Sequence, residues 1–160
     1  MTQDLLEVFQ SMDFSEDEGI ALNDRVLIID GMNTFIRSFA AIPTMDENGN
    51  HIGGVTGFLK SVGYVTRKFK PSRVYVIFDG KGGSKRRRDI YPDYKLGRKP
   101  LTRLNRTYDM TTEKDEQDLM RYELVIVAKA LMKLPITTIT LDHVEADDII
   151  SYIAQHVGEN

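Results

Sequence analysis

Two stretches of this chain pack branched apolar residues too densely, and too briefly, for a helix. Residues 25–30 read Arg-Val-Leu-Ile-Ile-Asp and residues 73–79 read Arg-Val-Tyr-Val-Ile-Phe-Asp. Short apolar runs bounded by charge predict buried strands. Each run ends in an aspartate followed by glycine, Asp30-Gly31 and Asp79-Gly80. Between them, from Thr56 to Phe69, the apolar positions Phe58, Val62, Val65 and Phe69 recur at the period of a helix with one buried face, which Pro71 then breaks. Gly57 and Gly63 weaken that helix without excluding it.

The remaining pattern fills the gaps. Thr34 to Ala41 has helical composition and stops before Pro43, and Asp46 to Asn50 reads as a turn or hairpin. A helical stretch runs around Glu116 to Leu134, a third strand covers Ile136 to Leu141, and a last helix starts at about Glu145. Strands alternating with helices predict an α/β chain on a mainly parallel sheet. With 160 residues, one domain is expected.

Charge changes the picture more than composition does. The formal net charge is -3, yet it sums blocks of opposite sign. Residues 1–24 hold seven acids and no Lys or Arg, which would repel a phosphate backbone. Leu5, Leu6, Val8 and Phe9 within them fit one apolar helical face for packing or a partner, and a disordered segment fits the composition equally well. From Lys81 to Arg106, ten basic residues stand against Asp89 and Asp93, a local charge of +8 on which a polyanion could dock. Gly82, Gly83, Pro92, Gly97 and Pro100 interrupt that stretch, which reads as a loop or as short helices within one.

Other classes drop out. There is no cysteine, so neither a disulfide framework nor a thiolate zinc site is available. His51, His143 and His156 share no ligand spacing. No apolar run approaches the roughly 20 residues that span a bilayer, and the acidic start does not resemble an export signal, so a soluble, non-exported protein with no membrane partner is expected.

In open parallel sheets, ligands gather beyond the carboxyl ends of the strands, which is where Asp30 and Asp79 fall. Val144-Glu-Ala-Asp-Asp-Ile149 follows the third strand and puts Glu145, Asp147 and Asp148 at a helix start on the same edge. Five converging carboxylates would repel one another, and a hard cation is their natural counter-charge. Oxygen ligands without Cys or His favour Mg2+ or Mn2+ over zinc. Taken singly, each acid has a plain structural reading: Asp-Gly makes turns, and first-turn acids complement the helix dipole. Their recurrence after successive strands favours a metal site that hydrolyses phosphodiesters.

The basic stretch begins directly after Asp79-Gly80, so its charge hangs over the same crevice. Lys81 is nearest the carboxylates and suits the scissile phosphate, while Lys85, Arg86, Arg87, Arg88, Lys95, Arg98 and Lys99 suit backbone phosphates. Tyr91 and Tyr94 offer flat faces for stacking bases. A solvated loop or a nuclear localisation signal is the bland alternative.

Together these motifs resemble the N-terminal region of the 5' nuclease family of flap endonucleases and 5'-3' exonucleases, which includes phage RNase H enzymes and the 5' nuclease domain of bacterial DNA polymerase I. The resemblance spans residues 25–160. It rests on Asp30-Gly-Met-Asn33 with Arg37, on Gly57-Phe-Leu-Lys-Ser61, on Phe78-Asp-Gly-Lys81, on Arg87 with Tyr91-Pro92-x-Tyr94-Lys95-x-x-Arg98, and on Glu145-Ala-Asp-Asp148. It implies a PIN-like three-layer α/β fold with a mainly parallel central sheet, incomplete at the C-terminus, and a basic arch or gateway at about 81–110 that passes a single-stranded 5' end. It also implies Asp30, Asp79, Glu145, Asp147 and Asp148 as metal-binding acids, Lys81 and Arg87 as groups acting near the scissile phosphate, and Arg37 as a substrate or site-supporting residue.

The implied activity is metal-dependent cleavage near the 5' ends of DNA or RNA-DNA during replication and repair, with two Mg2+ or Mn2+ ions in the complete enzyme. A monomer in the cytoplasm of a bacterial or phage-infected cell, working beside replication proteins, is expected. The family carries a second acidic set on a following strand, and then a duplex-gripping region. The chain ends at Asn160, before that set, so the expectation is a fragment of a longer enzyme, ahead of a shortened protein needing a partner chain or an inactive one. Two other readings stand: a PIN-like RNase, and a catalytically incompetent module that binds single strands.

Overall fold

The computed structural model describes residues 24–96, 104–105 and 112–157. The acidic opening segment, with its apolar face, lies outside the described residues, as do Arg98 and Lys99.

Three strands form one parallel sheet in the order β1 (Val26–Asp30), β2 (Arg73–Phe78) and β3 (Thr137–Thr140). Asp30 pairs with Ile77, and Phe78 with Thr140, so the three carboxyl ends finish level with one another. Side chains alternate across the sheet, as the two-residue period of a strand requires. Ile29, Val74 and Val76 join one core with Phe35, Phe39, Phe58, Val62, Val127 and Leu131. Ile77 joins a second core with Ala146 and Ile149, flanked by Ile28, Tyr75 and Ile139.

The first core is covered by α1 (Gly31–Ala41), α2 (Gly53–Phe69) and α4 (Glu113–Leu131); the second is covered by α5 (Ala146–His156). The sheet therefore lies between two helical layers. A short α3 (Lys85–Ile90) sits within the basic stretch. No helix among the described residues is long and apolar enough to cross a membrane.

Both early helices begin three residues sooner than the apolar pattern suggests. Asp30 itself caps α1, accepting a hydrogen bond from the Asn33 backbone N–H (2.9 Å), so no linker separates strand from helix. Helix α2 has no side-chain cap from its own N-cap residue, Ile52. Its Val55 N–H instead donates to the carboxylate of Glu123 on α4 (2.9 Å), a cap that local sequence does not contain. Gly54 lets this happen, since a β-carbon there would press on the Phe35 ring and the Glu123 carboxylate.

Gly57 and Gly63 each cost α2 about 1 kcal/mol relative to alanine. Completely buried Phe58 alone returns about 1.5–3 kcal/mol, so packing overrides propensity. Helix α4 starts on the Thr112 hydroxyl, which accepts from the Asp115 N–H. It ends at Leu131, three residues before the expected Leu134, ahead of Pro135, which disfavours helical geometry in its predecessor.

Candidate metal and phosphate site

Every acid singled out above is placed by a chain reversal at the carboxyl edge of the sheet. Asp30 ends β1, and Asp79 follows β2. The loop after β3 folds back over Asp79-Gly80: the Gly80 N–H donates to the Val144 carbonyl (3.1 Å), and the His143 N–H donates to that of Lys81 (3.0 Å). Only glycine fits at position 80, because a β-carbon would collide with the Leu141 carbonyl. This stitching sets Glu145 at the N-cap of α5, with Asp147 and Asp148 in its first turn.

Glu145 does not cap its own helix with its side chain. Asp79 does so from the neighbouring strand, its Oδ1 accepting from the Ala146 N–H (2.8 Å). Asp30 and Asp79 thus each spend one oxygen on a helix N-terminus, where the dipole favours negative charge, and no protein hydrogen bond among the described residues engages the other oxygen.

Asp30, Asp79, Glu145 and Asp147 line one open cavity of about 360 Å³, together with Asn33 and Lys95 and the apolar side chains of Met32 and Ile36. Asp148 is elsewhere. It lines an adjoining recess of about 400 Å³ with Gly83, Arg86, Arg87, Ile90 and His143, where it pairs with the Arg87 guanidinium. The expected convergence of five carboxylates is therefore four plus one, because successive first-turn residues of a helix diverge by about a quarter turn.

Among the described residues no three carboxylates are drawn together into a ready-made cation site. Glu145, whose side chain is only 4% exposed, is already engaged. Its Oε2 accepts from Arg87 Nη1 (2.7 Å) and the Tyr94 hydroxyl (2.9 Å), and its Oε1 accepts from Lys95 Nζ (2.8 Å). Burial pushes the Glu145 carboxyl upward, but the hydrogen bonds from Lys95 and Tyr94 and the charges of Lys95 and Arg87 outweigh it and leave it below the ordinary glutamate range. Lys95 is raised by its hydrogen bond to Glu145, and Arg87 by its bonds to Tyr94 and Asp148. The donor set fits a hard divalent cation, being all oxygen and anionic, provided Glu145 gives up these partners.

The basic residues divide accordingly. Arg87 and Lys95 face the acids. Lys81 is exposed, and of the two lysines Lys95 is the one that lines the cavity with the acids. Lys85, Arg86 and Arg88 are exposed on α3, and Arg37 is exposed on α1 one turn beyond Asn33. Tyr91 is 60% exposed and free to stack. Tyr94 is engaged instead, its ring beside Arg87 (5.4 Å) and Lys95 (5.1 Å). Sequence reasoning left Asn33 and His143 unassigned. Asn33 closes the Asp30-Gly-Met-Asn33 motif but was given no role of its own, and His143 gave no signal.

Residues 25–160 match the family described as 5'-3' exonuclease, N-terminal resolvase-like domain. The chain is 28% identical over 133 residues to a 5'-3' exonuclease of Aquifex aeolicus, covering 82% of this chain and 40% of that protein. It is 32% identical over 136 residues to flap endonuclease Xni of Shewanella denitrificans, covering 84% and 46%. It is 30% identical over 134 residues to DNA polymerase I of Geobacillus stearothermophilus, covering 83% and 14%. The chain thus spans less than half the length of these relatives.

Two structures of the bacteriophage T5 enzyme share the fold. The 5'-exonuclease with bound divalent metal ions (zinc) superposes with a TM-score of 0.61 at 22% identity, over 84% of this chain and 45% of that one. The flap endonuclease in a complex with DNA and metal ions gives 0.54 at 21%, over 84% and 44%. The PIN-like architecture expected from the sequence is the fold found, with its three-stranded sheet open at both edges. By its match over residues 25–160, the chain belongs to the 5'-3' exonuclease family, as the N-terminal resolvase-like domain.

Proposed function

We propose that this chain carries the first acidic set and the basic gateway of a divalent-metal-dependent 5' nuclease, one that hydrolyses phosphodiester bonds near free 5' ends or flaps of DNA or RNA-DNA. One observation carries the reading: carboxylates from beyond three successive parallel strands line a single cavity beneath a cationic segment. The relatives named as 5'-3' exonuclease and flap endonuclease support it, as do the metal ions and DNA held by the T5 enzyme.

Asp30, Asp79, Glu145 and Asp147 would hold the cation, with Asp148 reaching it once freed from Arg87. When bound, the ion supplies Lewis acidity and a water that ionises near neutral pH. Asp30 and Asp79 are held in place by the helices they cap, so their oxygens are oriented in advance. Arg87 suits a phosphoryl oxygen bidentately. Lys81, Lys85, Arg86, Arg88 and Arg37 lie exposed for backbone phosphates, and Tyr91 for a base unstacked from its neighbour. The proposed ions are Mg2+ or Mn2+, two in the longer enzyme. The proposed setting is a monomer in the cytoplasm working with replication proteins.

The test is incubation of the chain with a 5'-flap duplex and a single-stranded control, in Mg2+, Mn2+ or EDTA, beside an Asp79→Asn variant. Metal-dependent cutting lost in the variant supports the reading. Salt-sensitive binding without cutting in any metal would favour a single-strand binding module, a reading that the occupied state of Glu145 supports, over a working nuclease site in this chain.

A further inference from the structure

The segment bearing Tyr91, Tyr94 and Lys95 is held down almost entirely by charge. Its backbone hydrogen bonds among the described residues are local: Tyr91 N–H to the Arg87 carbonyl, Tyr94 N–H to Tyr91 and Leu96 N–H to Asp93. The flanking apolar side chains are unburied, Ile90 being 78% exposed and Leu96 69%. Lys95 itself has a φ of 64°, left-handed backbone that a lysine rarely adopts. The bonds from Arg87, Tyr94 and Lys95 to Glu145, and from Arg87 to Asp148, tie this stretch to the body.

Those bonds occupy both oxygens of Glu145, and of the three donors only Lys95 lines the cavity with Asp30, Asp79 and Asp147. An ammonium and a divalent cation cannot share that place, since like charges a few ångströms apart in a partly buried site repel strongly. A polyanion, in turn, competes with Glu145 for Arg87 and Lys95.

We propose that Arg87 and Lys95 are a built-in counter-charge that a divalent cation must displace from Glu145, so that the metal and a nucleic-acid strand load together by exchanging partners. This rests on the metal reading above. Released by the cation, the two basic side chains become available to phosphates; engaged by phosphates, they leave Glu145 to the cation. Linkage requires the effect to be reciprocal: the strand tightens metal binding by the factor with which metal tightens strand binding. The strained backbone at Lys95 favours release over a docked state that outlasts its ion pair.

The experiment is calorimetric titration of the metal-free chain with Ca2+, with and without a single-stranded oligonucleotide, for the natural chain and for Lys95→Met and Lys95→Arg. The expected result is Ca2+ affinity raised about tenfold by the oligonucleotide in the natural chain, a value within the usual range of coupling between sites. Lys95→Met is expected to bind Ca2+ more tightly without oligonucleotide and to lose most of the enhancement, and Lys95→Arg to restore both natural values. Equal Ca2+ affinity in all three proteins, with or without the strand, overturns the exchange and leaves the metal reading standing. No Ca2+ binding by any of them overturns both.

Discussion

His51 Nδ1 lies 2.7 Å from Glu123 Oε1, and neither side chain reaches solvent. The pair is the centre of a network joining segments far apart in sequence. Glu123 Oε2 accepts from the Val55 N–H that opens α2. His51 Nε2 is 2.9 Å from the Ile42 carbonyl at the end of α1 and 2.9 Å from Asn105 Nδ2, which also donates to the Phe39 carbonyl (2.6 Å).

Removing one partner of such a pair leaves the other buried without its counterpart. Glu123→Ala leaves His51 Nδ1 and the Val55 N–H without their partner and is expected to destabilise the fold, at about 1–3 kcal/mol for each group left unsatisfied. Thermal unfolding of the two proteins measures it. Glu123→Gln, which keeps an acceptor for Val55, should lose less. A Glu123→Ala melting temperature within a degree or two of the natural one would mean that the network carries no net stability.

That network also marks where sequence reasoning stops. His51, Asn105 and Glu123 have no local pattern in common; the histidine and glutamate are 72 positions apart, and only folding makes one the cap of a helix through the other's neighbour. The first two strands were legible because apolar runs ending in Asp-Gly are strong local signals, and the helix faces because Phe58 and Val62 repeat at helical spacing. The starts of α1 and α2 were not, because Asp30 doubles as strand end and cap, and because the cap of α2 comes from α4. At the site, chain order told which edge holds the acids. It could not tell that Glu145 is buried under Lys95 while Asp148 turns aside to Arg87, since that depends on side-chain direction around the first turn of α5 and on the fold of the basic stretch.

Asp79 supports two things that one substitution can separate. Asp79→Asn keeps an oxygen for the Ala146 N–H and loses the negative charge, so folding should be nearly unchanged while divalent-cation affinity falls by about 10–100-fold or more. Asp79→Ala should add the loss of the cap, about 1 kcal/mol. Calorimetric Ca2+ titration and thermal melts of both variants read the two effects. If Asp79→Asn binds cation as the natural chain does, Asp79 is a helix cap only.

Gly80 tests the stitching that brings Glu145 to the sheet edge. Gly80→Ala forces the 141–145 loop away from the end of β2, since the new carbon would collide with the Leu141 carbonyl. Overpacking of this kind costs about 1–3 kcal/mol. Because the Gly80 to Val144 bond positions the start of α5, the same change should weaken cation binding as well. Lowered stability with unaltered Ca2+ affinity would show that the loop relaxes without moving Glu145.

Finally, the docking of the basic segment should depend on pH with opposite signs at its two ends. The Glu145 carboxyl is held below the ordinary glutamate value of 4.5, so its contribution is complete above that value and is lost as pH falls through the lowered one. Lys95 is raised above the ordinary lysine value of 10.5, so its contribution is complete below that value and is lost as pH rises through the raised one. Between them the contact should be flat. Side-chain NMR signals of Lys95 and Arg87 in the metal-free chain report it directly: they should stay in one docked position across neutral pH and move on the acid side with a midpoint below 4.5. Lys95→Met removes the counter-charge from Oε1 of Glu145, so the acid midpoint read at Arg87 should rise. An acid midpoint above 4.5 in the natural chain, or one unmoved by Lys95→Met, would mean that the ion pair with Lys95 does not hold the carboxylate ionised.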